Sequence, residues 1–372
     1  MDKVVVDYMW IHTMIIFVLI LFMFVGIVDK IMGNRRGYGK AFEEGFQAMG
    51  PLALVMIGMI SVAPVIANVL RPVITPFFIF LGADPSMFPG MLLAIDMGGY
   101  PLAIELSEST EAALFSGIIL STLLGPTFVF TVPVALGFIN KNDYPVLAKG
   151  IMIGLIPIPL GAMLAGMIAG FPIDFLLRQL FPVLLFVGVI ICGLIWMDQW
   201  LIKVFTFIGK GIMALVCLVI GIVAINELTP FEVVQGLTPF SESMEIVGLI
   251  VLALTGAFPL VYFLKEKILP LMSPIIRKSG ITDVAWVGFI SSLAHSIPMY
   301  KNLNQMDEQS KLMNIAFSVS GAFVLGGHLG FTAALEPQMV MPMMAGKLTA
   351  GVLSVVLAYL YSKRLLGRRR LS

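Results

Sequence analysis

Nine stretches of this chain run for about twenty residues or more with almost no charge, long enough to cross the hydrocarbon core of a bilayer as helices. They cover residues 9–32, 46–70, 112–139, 148–171, 179–197, 203–225, 246–264, 312–333 and 342–361. Only 12% of the 372 residues are charged and 59% are apolar, whereas a soluble domain carries about 25% charged residues. The expectation is therefore an all-α polytopic membrane protein with a single transmembrane domain over 1–372. Asp2 and Asp7 precede the first apolar run and Arg35 and Arg36 follow it. That is the reverse of a signal peptide, so the run is expected to stay as a span.

Two stretches, 85–108 and 283–306, fall short. Each holds an apolar run of about ten residues broken by Gly, Pro or polar residues, too little to cross singly. Treating both as re-entrant, with the N-terminus outside, sends most of the 23 basic residues to the loops beginning at Gly33, Asn140, Asp198, Lys265 and Tyr300 and to the tail KRLLGRRRLS. Positive loops stay cytoplasmic. The opposite side collects Glu105, Glu108, Glu111, Glu227, Glu232, Glu242 and Glu245, so the C-terminus is expected in the cytoplasm.

A shift near 198 lays the two short stretches on each other. GADPSMFPG at 82–90 aligns with GITDVAWVG at 280–288, and each is followed by an apolar stretch that ends in a turn closed by proline, GGYP at 98–101 and HSIP at 295–298. The order of features matches across approximately 46–139 and 246–333. By the charge distribution the first copy enters from outside and the second from the cytoplasm. Inverted pairs of interrupted segments are a recurring design of secondary transporters, with broken helices meeting near the midplane. Unwound backbone survives at that depth only when protein or a watery cavity surrounds it.

Several residues are costly in such a place. Asp96, in LLAIDMGGYPLA, carries a charge that costs about 2.5–3.5 kcal/mol at a helix centre, so it is expected to face a cavity and a partner. That partner is a cationic ligand, a coupling ion, or a fixed lysine such as Lys210 or Lys347. Gly98 and Gly99 permit positive φ and close approach of a ligand, and Pro101 starts the returning arm. Tyr100 offers a hydroxyl and a ring face, which attracts an ammonium by about 0.5–2 kcal/mol. His295 and Ser296 occupy the equivalent turn of the second copy. Glu105, His328 and Glu336 are candidates for the pathway or for coupling, with Asn68 and Asn314 as weaker ones that also serve to hold helices together. Lys210 lies near enough to the inner face to snorkel.

Soluble-enzyme constellations are absent: no phosphate-cradling loop with Lys, no paired-histidine helix, no serine elbow. Three histidines and two isolated cysteines, Cys192 and Cys217, give no metal-ligand spacing and no disulfide framework. No cofactor, metal or nucleic-acid partner is expected, and the bilayer is the surrounding medium.

AIDMGGYPLAIELS at 94–107, the preceding GADPSMFPG, the following EAALFSGIILSTLLGPTFVFTVP and the segment HSIPMYKNL at 295–303 resemble the ethanolamine-utilisation permease family, over essentially the whole chain. More distantly, the two short stretches are similar to the gate repeats of concentrative nucleoside transporters. That likeness concerns the fold alone. The resemblance implies uptake of ethanolamine across a bacterial cytoplasmic membrane by alternating access between two hairpin tips, with no enzymatic step. By position and chemistry, and not by the resemblance, Asp96 and Tyr100 are expected to meet the ammonium, and His295 and Ser296 the hydroxyl. A gate-type carrier for a nucleoside or another amine, and a receptor that binds without transporting, stand as alternatives. Gate folds of this kind also allow a homo-oligomer.

Overall fold

The computed structural model describes residues 2–268 and 281–369. Most of the expected loop after Lys265 and the last residues of the basic tail lie outside them. Among the described residues every regular element is a helix, and eight helices are long and apolar enough to span a membrane. The chain is thus an all-α polytopic membrane protein. The eight are Thr13–Ile31, Tyr38–Phe80, Thr110–Phe138, Tyr144–Ile168, Ile173–Trp196, Gln199–Leu228, Phe240–Lys267 and Pro337–Lys363. Large apolar side chains such as Phe17, Phe80, Leu184, Phe207, Leu218 and Val352 stand exposed on their outer faces, where a bilayer would cover them.

The difference from the sequence reading lies at 312–333, which is not one continuous span. It forms two helices, Glu308–Ser320 and Gly327–Leu335, joined by an unwound segment at 321–326. Glycines at 321, 326 and 327 and a left-handed Phe323 (φ 64°) interrupt the helix. The average apolarity of the run conceals the break.

In chain order the helices are α1 (Asp2–Ile31), α2 (Tyr38–Gln47), α3 (Met49–Phe80), α4 (Met87–Leu92), α5 (Gly99–Leu106), α6 (Thr110–Leu114), α7 (Ser121–Leu123) and α8 (Val132–Phe138). They continue with α9 (Tyr144–Leu155), α10 (Ile158–Ile168), α11 (Ile173–Trp196), α12 (Asp198–Leu228), α13 (Phe240–Phe263), α14 (Asp283–Ala294), α15 (Ile297–Lys301), α16 (Glu308–Ser320), α17 (Gly327–Leu335) and α18 (Val340–Arg369). The run from α6 to α8 is the most enclosed span and includes two π-helical turns, Phe115–Leu120 and Thr127–Thr131. α10 and α18 cross where Gly161 and Ala165 meet Gly346 and Ala350, small residues that bring the two backbones close.

Both short stretches are a helix, a break and a second helix, with their ends tied together. Asp84 accepts hydrogen bonds from the amides of Ser86 (2.9 Å) and Glu108 (3.0 Å), so the chain returns at residue 108 to where it departed at 84. Ser86 also bonds to the Ala112 carbonyl, and Ser116 donates to the Ser86 carbonyl. At the second stretch Thr282 caps α14 and its hydroxyl meets that of Ser310 (3.4 Å), while Asp307 caps α16. The Asp84 amide donates to Gln179, within α11. Lys311 pairs with Asp143 (2.7 Å) at the start of the Tyr144–Ile168 span.

Asp84→Ala leaves two amides in a largely buried site without an acceptor, each worth about 1–3 kcal/mol. The purified variant is expected to melt several degrees below the wild type. An unchanged melting temperature would mean that packing alone holds the ends of the first stretch.

Candidate functional site

The first break begins at Leu93 and Ala94, both extended, passes through a single turn at Ile95–Met97, and re-enters a helix after Gly98, whose φ of 99° only glycine adopts freely. Pro101 falls in the first turn of α5, where its missing N–H costs nothing. Gly99 is tight against protein: a Cβ there would strike the Ser121 hydroxyl and lie 2.6 Å from the Leu93 carbonyl oxygen. Gly125 abuts the same carbonyl from the other side. These glycines therefore let the first break cross the kinked α6–α8 span at backbone distance.

The second break repeats the arrangement with different residues. α14 ends at Ala294, His295 is extended, and Pro298 lies at the start of α15. Gly326 packs on the Ala294 carbonyl, and the unwound segment bonds back through Phe323 N–H to Ser292 O (2.9 Å) and Leu325 N–H to Leu293 O (2.8 Å). The Nδ1 atom of His295 accepts from the Ile297 amide (3.2 Å), which leaves Nε2 as the free edge of the ring. Phe130, His295, Phe323 and His328 form a chain of ring contacts, with neighbouring centroids 5.1–5.6 Å apart. One end of that chain lies on the first broken span and the other on the second.

Between the breaks is an interior rich in polar groups. The turn holding Asp96 packs on α17, the helix that carries His328. Asp96 is half-buried, and among the described residues its carboxylate meets no cation and no donor from another side chain. The Ser296 hydroxyl and the His328 Nδ1 are buried without partners, as are the hydroxyls of Ser121, Thr127, Ser292 and Ser320. Lys347, only 1% exposed, donates to the Thr122 carbonyl (2.5 Å).

Tyr100 points elsewhere than the sequence reading placed it. Its hydroxyl donates to Glu336 Oε1 (2.7 Å), whose other oxygen accepts from Gln338 (2.5 Å), and its ring stands edge-on to Phe331. Tyr100 and Phe331 line a cavity of about 190 Å³ together with Glu105, Glu242 and Thr238. Glu105, Glu242 and Tyr100 thus share one vestibule, and Glu336 is joined to it through the Tyr100 hydroxyl. The remaining candidates lie apart from these groups. Asn68 and Lys210 are exposed. Asn314 is buried, donates to the Ser310 carbonyl (3.0 Å) and packs against Gly288, where it joins α14 to α16.

Sequence reasoning had Lys347 only as a conceivable partner for Asp96, and apart from Ser296 it did not single out the interior hydroxyls, nor Glu242 as a site residue. The only signal for Lys347 was its charge within a span, and at five residues into 342–361 it stood within snorkelling reach of one end. Serine and threonine carry no such mark, because single hydroxyls are common in membrane helices.

Residues 11–361 match the family model described as "Ethanolamine utilisation protein, EutH". The chain belongs to the EutH family. It is 44% identical to a protein of Listeria monocytogenes named "Probable ethanolamine permease EutH", covering 97% of both chains. It is 41% identical to the uncharacterized protein YxeR of Bacillus subtilis, over 94% of this chain and 95% of that one. It is 39% identical to the "Probable ethanolamine permease EutH" of Salmonella typhimurium, with the same coverage. No solved structure matches this EutH-family chain.

The Tyr100–Glu336 bond joins residues 236 positions apart. A double-mutant cycle with Tyr100→Phe and Glu336→Gln, read by thermal unfolding, is expected to give a coupling of about 1.5–3 kcal/mol, the range for hydrogen bonds to charged groups. Strict additivity would show that the two side chains are held by their own surroundings.

Proposed function

We propose that this chain carries ethanolamine into the cell across a bacterial cytoplasmic membrane, with no enzymatic step, through a site between two re-entrant hairpins that enter from opposite faces. The names of its relatives supply the substrate. The observation on which the site rests is Asp96: a carboxylate at a helix break, half-buried and without a cationic partner among the described residues. Ethanolamine at neutral pH is an ammonium with one hydroxyl, and a carboxylate in a low-dielectric site is its natural counter-charge. The free edge of His295 and the unpartnered hydroxyl of Ser296 suit the substrate hydroxyl.

The hairpin reading is supported by the tied ends, Asp84 with Glu108 and Thr282 with Ser310, the first bonded to Gln179 on α11 and the second neighboured by the Lys311–Asp143 pair ahead of α9. Counting α16 and α17 as one broken crossing gives nine passes, with the N-terminus outside and the basic tail cytoplasmic. The two crossings then form the cores of inverted repeats at approximately 46–139 and 246–333. On this orientation the Glu105–Glu242 vestibule faces outward and concentrates the cation, and the Tyr100–Glu336 bond closes its floor. Alternating opening of the two hairpins exposes the site first to one side and then to the other.

Proteoliposomes with the purified chain are expected to take up labelled ethanolamine saturably. Asp96→Asn, folded as judged by its melting curve, is expected to lose that uptake at least tenfold. Normal uptake by the variant would remove Asp96 from the site, and binding without flux would turn the reading toward a receptor.

A further inference from the structure

The kink at the centre of the α6–α8 span has a specific chemical cause. In a helix the carbonyl of residue 122 accepts from the amide of residue 126, and residue 126 is proline, which has none. The Thr127 amide turns to the Leu124 carbonyl instead (3.1 Å). Proline thus orphans the Thr122 carbonyl in the interior of the most enclosed span, where no lipid or bulk water can satisfy it. Broken membrane helices commonly offer such carbonyls to a bound monovalent cation, which carbonyl and hydroxyl oxygens coordinate well.

Here the carbonyl meets the side chain of Lys347, from a helix more than two hundred residues away. Lys347 cannot be a snorkelling residue, because it is buried to 1% exposure, and no carboxylate pairs with it among the described residues. Its documented acceptor is the orphaned oxygen itself. The neighbouring Ser121 hydroxyl is also buried and unpartnered among the described residues and faces Gly99 of the first break, so the Thr122 carbonyl is the oxygen that the nitrogen meets here. We propose that the Lys347 nitrogen stands, tethered, where a free monovalent cation would bind at the Thr122 break, so that the protein neither binds nor needs sodium there. Lys347 is a positioning residue: it keeps the α6–α8 kink in the shape that Gly125 needs to meet the Leu93 carbonyl of the first break. For transport the inference rests on the carrier reading above, and it predicts uptake indifferent to sodium.

The test is thermal unfolding of the purified full chain in sodium, lithium, potassium or N-methylglucamine chloride at equal ionic strength. The wild type and Lys347→Arg are expected to melt at one temperature in all four. Lys347→Ser, which opens the position and adds an oxygen, is expected to melt lower in N-methylglucamine and to recover saturably by several degrees in sodium or lithium. A sodium-specific rise in the wild type would overturn the proposal, as would a Lys347→Ser protein that responds to none of the cations. Should that variant fail to fold, Lys347→Met is compared in the wild-type and Pro126→Ala backgrounds. Alanine returns the missing amide, so the loss of melting temperature from Lys347→Met is expected to fall at least twofold there. An equal loss in both backgrounds, or failure to fold in both, would also overturn it. These measurements contain no ethanolamine, so a wrong substrate leaves them unaffected.

Discussion

A backbone that leaves helical geometry inside a bilayer must find every lost hydrogen bond within the protein, since each unsatisfied amide or carbonyl there costs several kcal/mol. Among the described residues this chain breaks helices at Leu93–Gly98, Leu124–Pro126, His295–Ser296 and 321–326, besides shorter interruptions at Ala48 and Ile156–Pro157. The structure meets the cost at the first four by laying them on one another in pairs. Gly125 seats on the Leu93 carbonyl, and the 321–326 segment bonds back to Ser292 and Leu293. Each break thereby packs on its neighbour. The Thr122 carbonyl, which loses its helical donor to Pro126, is reached by a lysine side chain instead.

The spans were legible because twenty apolar residues admit few structures in a chain so poor in charge. The two short stretches were legible for the converse reason, as apolar runs interrupted by GGYP and HSIP could not cross alone. Hydropathy failed at 321–326, where Ala322, Phe323, Val324 and Leu325 keep the run apolar while the flanking glycines unwind it. Averaged apolarity records where a segment prefers to be and carries no information on its backbone conformation.

The site was legible at the level of single costly residues and less so in their pairing. Asp96 stood out by its charge, and the structure leaves it without a fixed partner. Tyr100 sat beside it in sequence, which suggested a shared ligand, yet its hydroxyl turns to Glu336 on the far side of the vestibule. Gly98 and Gly99 read as room for a ligand, and the nearest atoms to Gly99 prove to be Ser121 and the break's own carbonyls. Sequence adjacency fixes neither direction, because a turn of three residues is enough to send successive side chains to different walls.

The way the two crossings are joined bears on how the molecule yields under load. Within residues 84–138 and within residues 282–336 the breaks are stitched by backbone contacts, which are short, directional and hard to stretch. Between these two segments the contacts described are side-chain ones: aromatic edges at Phe130 and Phe323, and the hydroxyl of Tyr100 on Glu336. Ring edges slide over one another at little cost, whereas a carbonyl pressed on a glycine does not slide at all. The molecule therefore has two stiff knots and a lubricated seam between them, and the seam runs past Asp96.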